Sequence, residues 1–126
     1  MLLHLTDKSD ESLQGQIVRQ LRARILSGRL VSDEALPSIR GLARQQKVSV
    51  ITVQRAYEVL ERDGLVRSRR GKGFYVEELA PQQKHDMAEG QLTRALEGPL
   101  RVARAEGLSP AQIARAIELM MKRGES

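Results

Sequence analysis

Apolar residues Leu13, Ile17, Leu21 and Ile25 recur every fourth position between Ser12 and Ser27, and Val18 and Leu26 widen the stripe. That spacing predicts an amphipathic helix. Gly28 supplies a left-handed stop, and Arg29 to Leu36 reads as a connection. Pro37 and Ser38 then open a short helix carrying Ile39, Leu42 and Ala43, which ends near Gln46 or Lys47. Ser49 stands where an N-cap belongs, and Val53, Ala56, Tyr57 and Leu60 share one face of the helix that follows, up to Gly64. Two helices joined by a turn of about three residues make a helix-turn-helix.

After Gly64 the period changes. Leu65 and Val66 lead into a basic run, RGKG can form a tight turn, and Phe74, Tyr75 and Val76 make a second short strand, so this stretch predicts a β-hairpin. Pro81 and the polar QQK mark a boundary. Beyond it Ala88, Leu92, Ala95, Leu96, Leu100 and Ala103 keep helical spacing, with a kink or interruption expected at Gly98-Pro99 and a stop at Gly107. Ser109-Pro110-Ala111-Gln112 combines a cap, proline at the first helical position and Gln three residues after the cap, which predicts a last helix bearing Ile113, Ile117, Met120 and Met121. Two helices of this length enclose no core alone; packing on their own copies in a second subunit is the economical solution.

Composition narrows the classes. The chain has 126 residues and 40% apolar content, enough for one domain or a small domain with a helical appendage. Its net charge of +5 is uneven: residues 37 to 76 hold nine Lys/Arg against three acids, a local +6 that leaves −1 for the rest. A concentrated positive surface is the footprint expected of a partner with repeating negative charge. With no cysteine there is no disulfide framework, thiolate nucleophile or CxxC knuckle. The apolar run Leu2 to Leu5 is too short for a signal sequence, and no segment approaches the roughly 18 apolar residues of a membrane span, so the expected location is cytoplasmic, nucleoid-associated when bound to DNA.

A helix-turn-helix places its second helix in the major groove of double-stranded DNA. With Val53, Ala56, Tyr57 and Leu60 inward, 100° per residue puts Val50 and Gln54 on one flank and Ile51 and Arg55 on the other, and these four are the candidate base readers. Gln54 can bond bidentately to adenine, Arg55 can reach guanine or phosphate, and Val50 or Ile51 can touch a thymine methyl. Ser49 and Thr52 can donate to phosphates at the positive helix end, and Arg40 and Arg44, one turn apart, can meet the backbone. At the hairpin tip Arg70, Gly71 and Lys72 can approach a groove while Phe74, Tyr75 and Val76 buttress the strand; base stacking is the alternative use of the two aromatics. Alternate strand residues point to opposite faces, so among Arg67, Arg69 and their neighbours one set alone can face DNA.

Other chemistries fit poorly. His4 and His85 lie in opposite flanking regions with no carboxylate cluster beyond Asp86, so no metal site is assigned. RRGKGF lacks the Lys-Ser/Thr ending and strand-to-helix setting of a nucleotide P-loop. Glu58, Glu61 and Asp63 read as solvated helix acids, and no nucleophile and base pair is evident, so neither catalysis nor a cofactor is expected. A protein-interaction adaptor built on the same domain is the rival, although an adaptor needs no +6 cluster.

Residues 36 to 76, LPSIRGLARQQKVSVITVQRAYEVLERDGLVRSRRGKGFYV, with ILSGRL at 25 to 30, resemble the winged helix-turn-helix of the GntR family of bacterial transcription regulators, and the short helical tail resembles the YtrA subfamily. The resemblance implies a mainly α fold with a small β-hairpin: a winged helix-turn-helix at 1–80 followed by a two-helix dimerisation tail at 81–126. It implies a homodimeric regulator, most often a repressor, on an inverted-repeat operator, with Leu92, Leu96, Leu100, Ile113, Ile117, Met120 and Met121 at the dimer seam. Arg40, Ser49, Thr52, Gln54, Arg70 and Gly71 fall on DNA-contacting positions of the family. A small-molecule effector is allowed but not identified. Two departures stand out: Val50 and Ile51 replace arginine or proline and a polar residue, and Ser32-Asp33 replaces Pro-Gly in the connecting loop.

Overall fold

The computed structural model describes residues 3–124. Five helices and one hairpin follow in order: α1 (Leu13–Leu26), α2 (Ile39–Gln46), α3 (Val50–Arg62), β1 (Val66–Arg69), β2 (Gly73–Val76), α4 (Pro81–Ala105) and α5 (Pro110–Gly124). The chain divides into two compact units after His85.

In the first unit the three predicted apolar stripes become one core. Ile17, Leu21 and Ile25 of α1, Leu42 of α2, and Val53, Ala56, Tyr57 and Leu60 of α3 are all 0% exposed. Each large side chain among them contributes up to about 1.5–3 kcal/mol by leaving water, so their sum outweighs any single cap or ion pair. The caps set where each helix begins. The N–H of Gly15 donates to Ser12 Oγ at 3.0 Å, that of Gly41 to Ser38 Oγ at 2.9 Å and that of Thr52 to Ser49 Oγ at 3.1 Å. α1 stops where Gly28 turns left-handed at φ 85°, and α2 stops at Lys47, also left-handed at φ 57°.

The N-terminal segment is tied down by glutamine side chains rather than by a sheet. Gln16, 2% exposed, accepts from the Thr6 N–H at 2.9 Å and donates to the carbonyls of Thr6 (2.7 Å) and Glu11 (2.9 Å). Gln20 does the same for both backbone groups of His4, at 2.9 and 2.7 Å. The segment from Leu3 is thereby docked, with Leu3 buried; Leu2, the first residue of the apolar run, lies outside the described residues.

β1 and β2 pair antiparallel in the register Val66↔Val76 to Arg69↔Gly73. The connection before α2 does more than connect: Asp33 N–H donates to Val76 O, Val76 N–H to Glu34 O and Leu36 N–H to Phe74 O, each at 2.9 Å, and Ala35 bridges Tyr75. The outer edge of β2 is therefore covered, which removes an exposed strand edge.

In the second unit the helix is not interrupted at Gly98-Pro99, although interruption is one of the two outcomes expected there. α4 runs without interruption from Pro81 to Ala105 with Pro99 inside it. Proline has no N–H to offer the carbonyl four residues back and costs a helix interior about 3 kcal/mol, but the unbroken turns on either side hold the helix together. α5 opens with the predicted reciprocal cap: Gln112 N–H donates to Ser109 Oγ at 3.2 Å and Ser109 N–H to Gln112 Oε1 at 2.9 Å. Neither helix has a buried residue among those described. Leu92, Val102, Met120 and Met121 are more than half exposed, Ile117 is exposed, and Leu96, Leu100 and Ile113 are half-buried.

Tyr57 couples packing to a polar constraint. Its hydroxyl donates to Pro37 O at 2.8 Å, and burial pushes the phenol above its ordinary value of 10.0. A phenol with a raised folded-state pKa stabilises the fold fully below the unfolded value and loses that contribution as the pH climbs above it. Tyr57→Phe should therefore cost about 1 kcal/mol at pH 7 through the lost hydrogen bond. Its deficit relative to the unsubstituted chain should shrink above about pH 10, as read from urea denaturation at both pH values.

Candidate nucleic-acid interface

The turn between α2 and α3 is made by Lys47, Val48 and Ser49, with the Val48 N–H donating to Ala43 O at 3.0 Å. Its tightness brings Arg40 and Arg44 beside the first turn of α3, where Arg40, Ala43, Arg44, Val48 and Val50 line an open cleft of about 320 Å³. On α3 the inward face leaves Val50 at 46% and Ile51 at 47% exposure, and Gln54 and Arg55 exposed as well. Large β-branched side chains in water at the start of a helix have no part in the core.

Ser49 and Thr52 are less free than the other candidates. Their hydroxyl oxygens lie 2.7 Å apart, so one O–H donates to the other, and Ser49 Oγ also accepts from the Thr52 N–H. One hydroxyl proton of the pair is left for an external acceptor. The N-terminal amides of α3 add the partial positive charge of a helix start.

The hairpin tip turns at Arg70-Gly71-Lys72, closed by Lys72 N–H donating to Arg69 O at 2.9 Å. Gly71 has φ 73° and Gly73 φ 90°, conformations that L side chains avoid, while nothing lies within 4 Å of where a Cβ would stand. Glycine is needed there for the backbone angle, not for space. The aromatics act as buttresses: Phe74 meets Tyr57 edge to face with ring centroids 5.1 Å apart, Val76 is 1% exposed, and Tyr75 lies under the Arg69 guanidinium at 4.5 Å.

The cations divide into two groups. Arg67 donates to Val76 O at 3.0 Å, lies 3.4 Å from Glu77 Oε1 and forms an ion pair with Asp33. The Asp33 hydrogen bond leads the causes that raise its pKa. Arg69, on the same face of β1, has its guanidinium 4.0 Å from Asp33. No side-chain hydrogen bond or ion pair among the described residues holds Arg40, Arg44, Arg55, Arg70, Lys72 or Gln54. The acids read as merely solvated are not all so: Glu61 Oε2 accepts from the Ser68 N–H (3.1 Å) and hydroxyl (2.8 Å), fastening β1 to α3. Sequence reasoning missed Asp33 as a partner of the wing; its replacement of the family's glycine was the available signal.

The family model "Bacterial regulatory proteins, gntR family" matches residues 13–76, which span α1 through β2. The chain belongs to this family. It is a regulator with a DNA-binding winged helix-turn-helix, not an enzyme. It is 33% identical over 118 residues to the HTH-type transcriptional regulator YhcF of Bacillus subtilis, covering 93% of this chain and 96% of that one. It is also 33% identical over 92 residues to the HTH-type transcriptional repressor YtrA of the same organism, covering 73% and 68% of the two chains. Among solved structures, YtrA from Sulfolobus acidocaldarius, a GntR-family transcription factor, superposes with a TM-score of 0.61 at 26% identity over 98% of this chain and 100% of that one. The tail therefore has a YtrA-like build as well as the winged domain.

Elsewhere on α4, His85, Asp86 and Glu89 bring potential ligand atoms within 4.8 Å of one another, all exposed. A solvated trio on one helical turn is not a built metal site. No described helix is long and apolar enough to cross a membrane.

The cap at the start of α3 yields a graded test. Ser49→Ala should destabilise the chain by about 1 kcal/mol and Ser49→Gly by only a few tenths, measured by urea unfolding.

Proposed function

We propose that the chain is a homodimeric transcriptional repressor that binds an inverted-repeat operator, with α3 of each subunit in a major groove and the hairpin tip in the adjacent minor groove. One observation carries this reading: Arg40, Arg44, Arg55, Arg70 and Lys72 stand exposed and unpartnered beside exposed Gln54, Val50 and Ile51, in a unit whose other wing arginines are engaged. Free guanidinium and ammonium groups are what phosphates require, and a glutamine flanked by apolar groups is suited to the edge of an A·T pair. Val50 supplies no donor, so a guanine contact from that position is absent and thymine-methyl contact takes its place.

Repression is supported by the name of the Bacillus subtilis relative YtrA. Dimerisation is supported by helices α4 and α5, which bury no residue yet display Leu92, Ile117, Met120 and Met121. Apolar surface on that scale marks an interface. A two-fold dimer matches half-sites about one helical turn, roughly 34 Å, apart.

Binding of a selected operator duplex, followed by fluorescence anisotropy, should weaken by roughly 10³ to 10⁵ between 50 and 200 mM salt if six to ten phosphates are neutralised per dimer. Arg40→Ala combined with Arg44→Ala should weaken all duplexes alike and flatten the salt dependence, whereas Gln54→Ala should cost about 1–3 kcal/mol at one base pair only. Salt-independent binding would remove the reading. Sedimentation equilibrium should report a dimer, and Ile117→Asp should shift it towards monomer.

A further inference from the structure

We propose that Asp33 sets the strength of the wing's sequence-independent attraction to nucleic acid: its carboxylate occupies the place of a phosphate for Arg67 and Arg69 and keeps that face of β1 from adding to it. The proposal rests on the DNA-binding reading above and concerns how that interface is tuned.

Asp33 is placed for this by the backbone, not by chance contact. Its N–H donates to Val76 O at 2.9 Å, and its φ of 67° is the left-handed conformation that favours glycine and that aspartate and asparagine tolerate better than other residues. That conformation directs the side chain at β1, where it pairs with Arg67 and stands 4.0 Å from Arg69. Arg67 is held by further acceptors, Val76 O and Glu77, and its side chain is 28% exposed. Arg69 is the looser of the two: its side chain is 48% exposed, it rests on Tyr75, and Asp33 is its one acidic neighbour among the described residues.

The consequence follows from how polyanion binding works. Attraction to any duplex grows with each phosphate neutralised, by a slope of about −0.9 in log K against log salt, and that term does not depend on base sequence. A carboxylate built into the wing competes with phosphate for the same guanidinium. It lowers non-specific and specific binding by the same factor through Arg69 and leaves the base contacts of α3 untouched, so it weakens attraction to every duplex at a given salt without altering the preference for one sequence over another. Loss of the acid releases Arg69, while Arg67 stays anchored.

Asp33→Asn is the informative variant, because asparagine keeps the left-handed backbone and the N–H to Val76 while removing the charge. Its affinity for a random-sequence duplex should rise, and its salt slope should steepen by about 0.9 per protomer, so that the gain over the unsubstituted protein shrinks about 3.5-fold per protomer between 50 and 200 mM salt. Arg69→Gln alone should leave the slope unchanged, and Asp33→Asn with Arg69→Gln should restore the original slope. A merely structural role for Asp33 would lower binding without steepening the slope. Asp33→Gly serves as a second charge-removing variant should asparagine disturb folding, since glycine takes the same φ without strain. If the unsubstituted protein binds duplex with a salt dependence and neither Asp33 variant steepens it, this proposal fails alone. Binding that ignores salt in the unsubstituted protein overturns both this proposal and the DNA-binding reading.

Discussion

The structure turns on the burial of Tyr57. It is the largest fully buried side chain of the first unit, its ring meets Phe74 of the wing, and its hydroxyl reaches Pro37 at the start of α2. One residue of α3 thus touches the segment that leads into α2 and the second strand of the wing. Because a phenol cannot be buried without a partner for its O–H, the rotation of α3 about its axis is set by a directional bond and not by apolar area alone. Val53, Ala56 and Leu60 complete the same face. With those four positions inward, Val50, Ile51, Gln54 and Arg55 have nowhere to go except solvent.

The same packing explains the distribution of charge. Strand β1 lies where α3 ends, and Glu61 fastens it through both donors of Ser68. On the neighbouring face Asp33 and Glu77 absorb Arg67, and Tyr75 supports Arg69. Among the cations left without a partner, Arg40 and Arg44 sit at the α2–α3 corner and Arg70 and Lys72 at the hairpin tip. Surface pairs of this kind add little to stability, since each is exposed and screened. Their weight lies in deciding which cations a polyanion can reach.

Most of the fold was legible because its signals are local. The four-residue spacing of Leu13, Ile17, Leu21 and Ile25 and the caps at Ser49 and Ser109 read directly as helices, and α1, α2, α3, α5 and the hairpin appear where the pattern placed them. The exposed candidates on α3 were legible for the same reason, since fixing the inward face fixes the outward one. What escaped is non-local. Asp33 and Arg67 are 34 residues apart and Gln16 reaches back 10 to Thr6, separations that leave no period in the chain. The strand-like pairing of residues 33–36 with β2 was hidden by a segment with turn-like composition. At Pro99 the sequence left a kink and an interruption both open, and the continuous α4 removes the interruption, because a local rule about proline says nothing of whether the surrounding turns can carry its missing bond. Ser49 and Thr52 were placed correctly, yet their mutual hydrogen bond halves the donors expected of them.

The exposed tail bears on how tightly such a domain can bind. The candidate interface of one winged unit offers Arg40, Arg44, Arg55, Arg70 and Lys72 and a single helix of readers, and at physiological salt a handful of phosphate contacts alone supports only weak attraction. In the proposed dimer, engagement of the first half-site makes the second an intramolecular event, governed by an effective concentration instead of the free protein concentration. The affinity gained in that way depends both on the strength of the proposed α4 and α5 interface and on the intrinsic affinity of each winged unit for its half-site. On the proposed reading, base discrimination falls instead to Gln54 and its apolar neighbours on α3. Apolar residues such as Met120 and Met121, flexible and unbranched, suit a seam that must hold two copies together without dictating which bases they read. In the proposed dimer those two tasks fall to different parts of the chain, which is compatible with an α3 that begins with the apolar pair Val50 and Ile51.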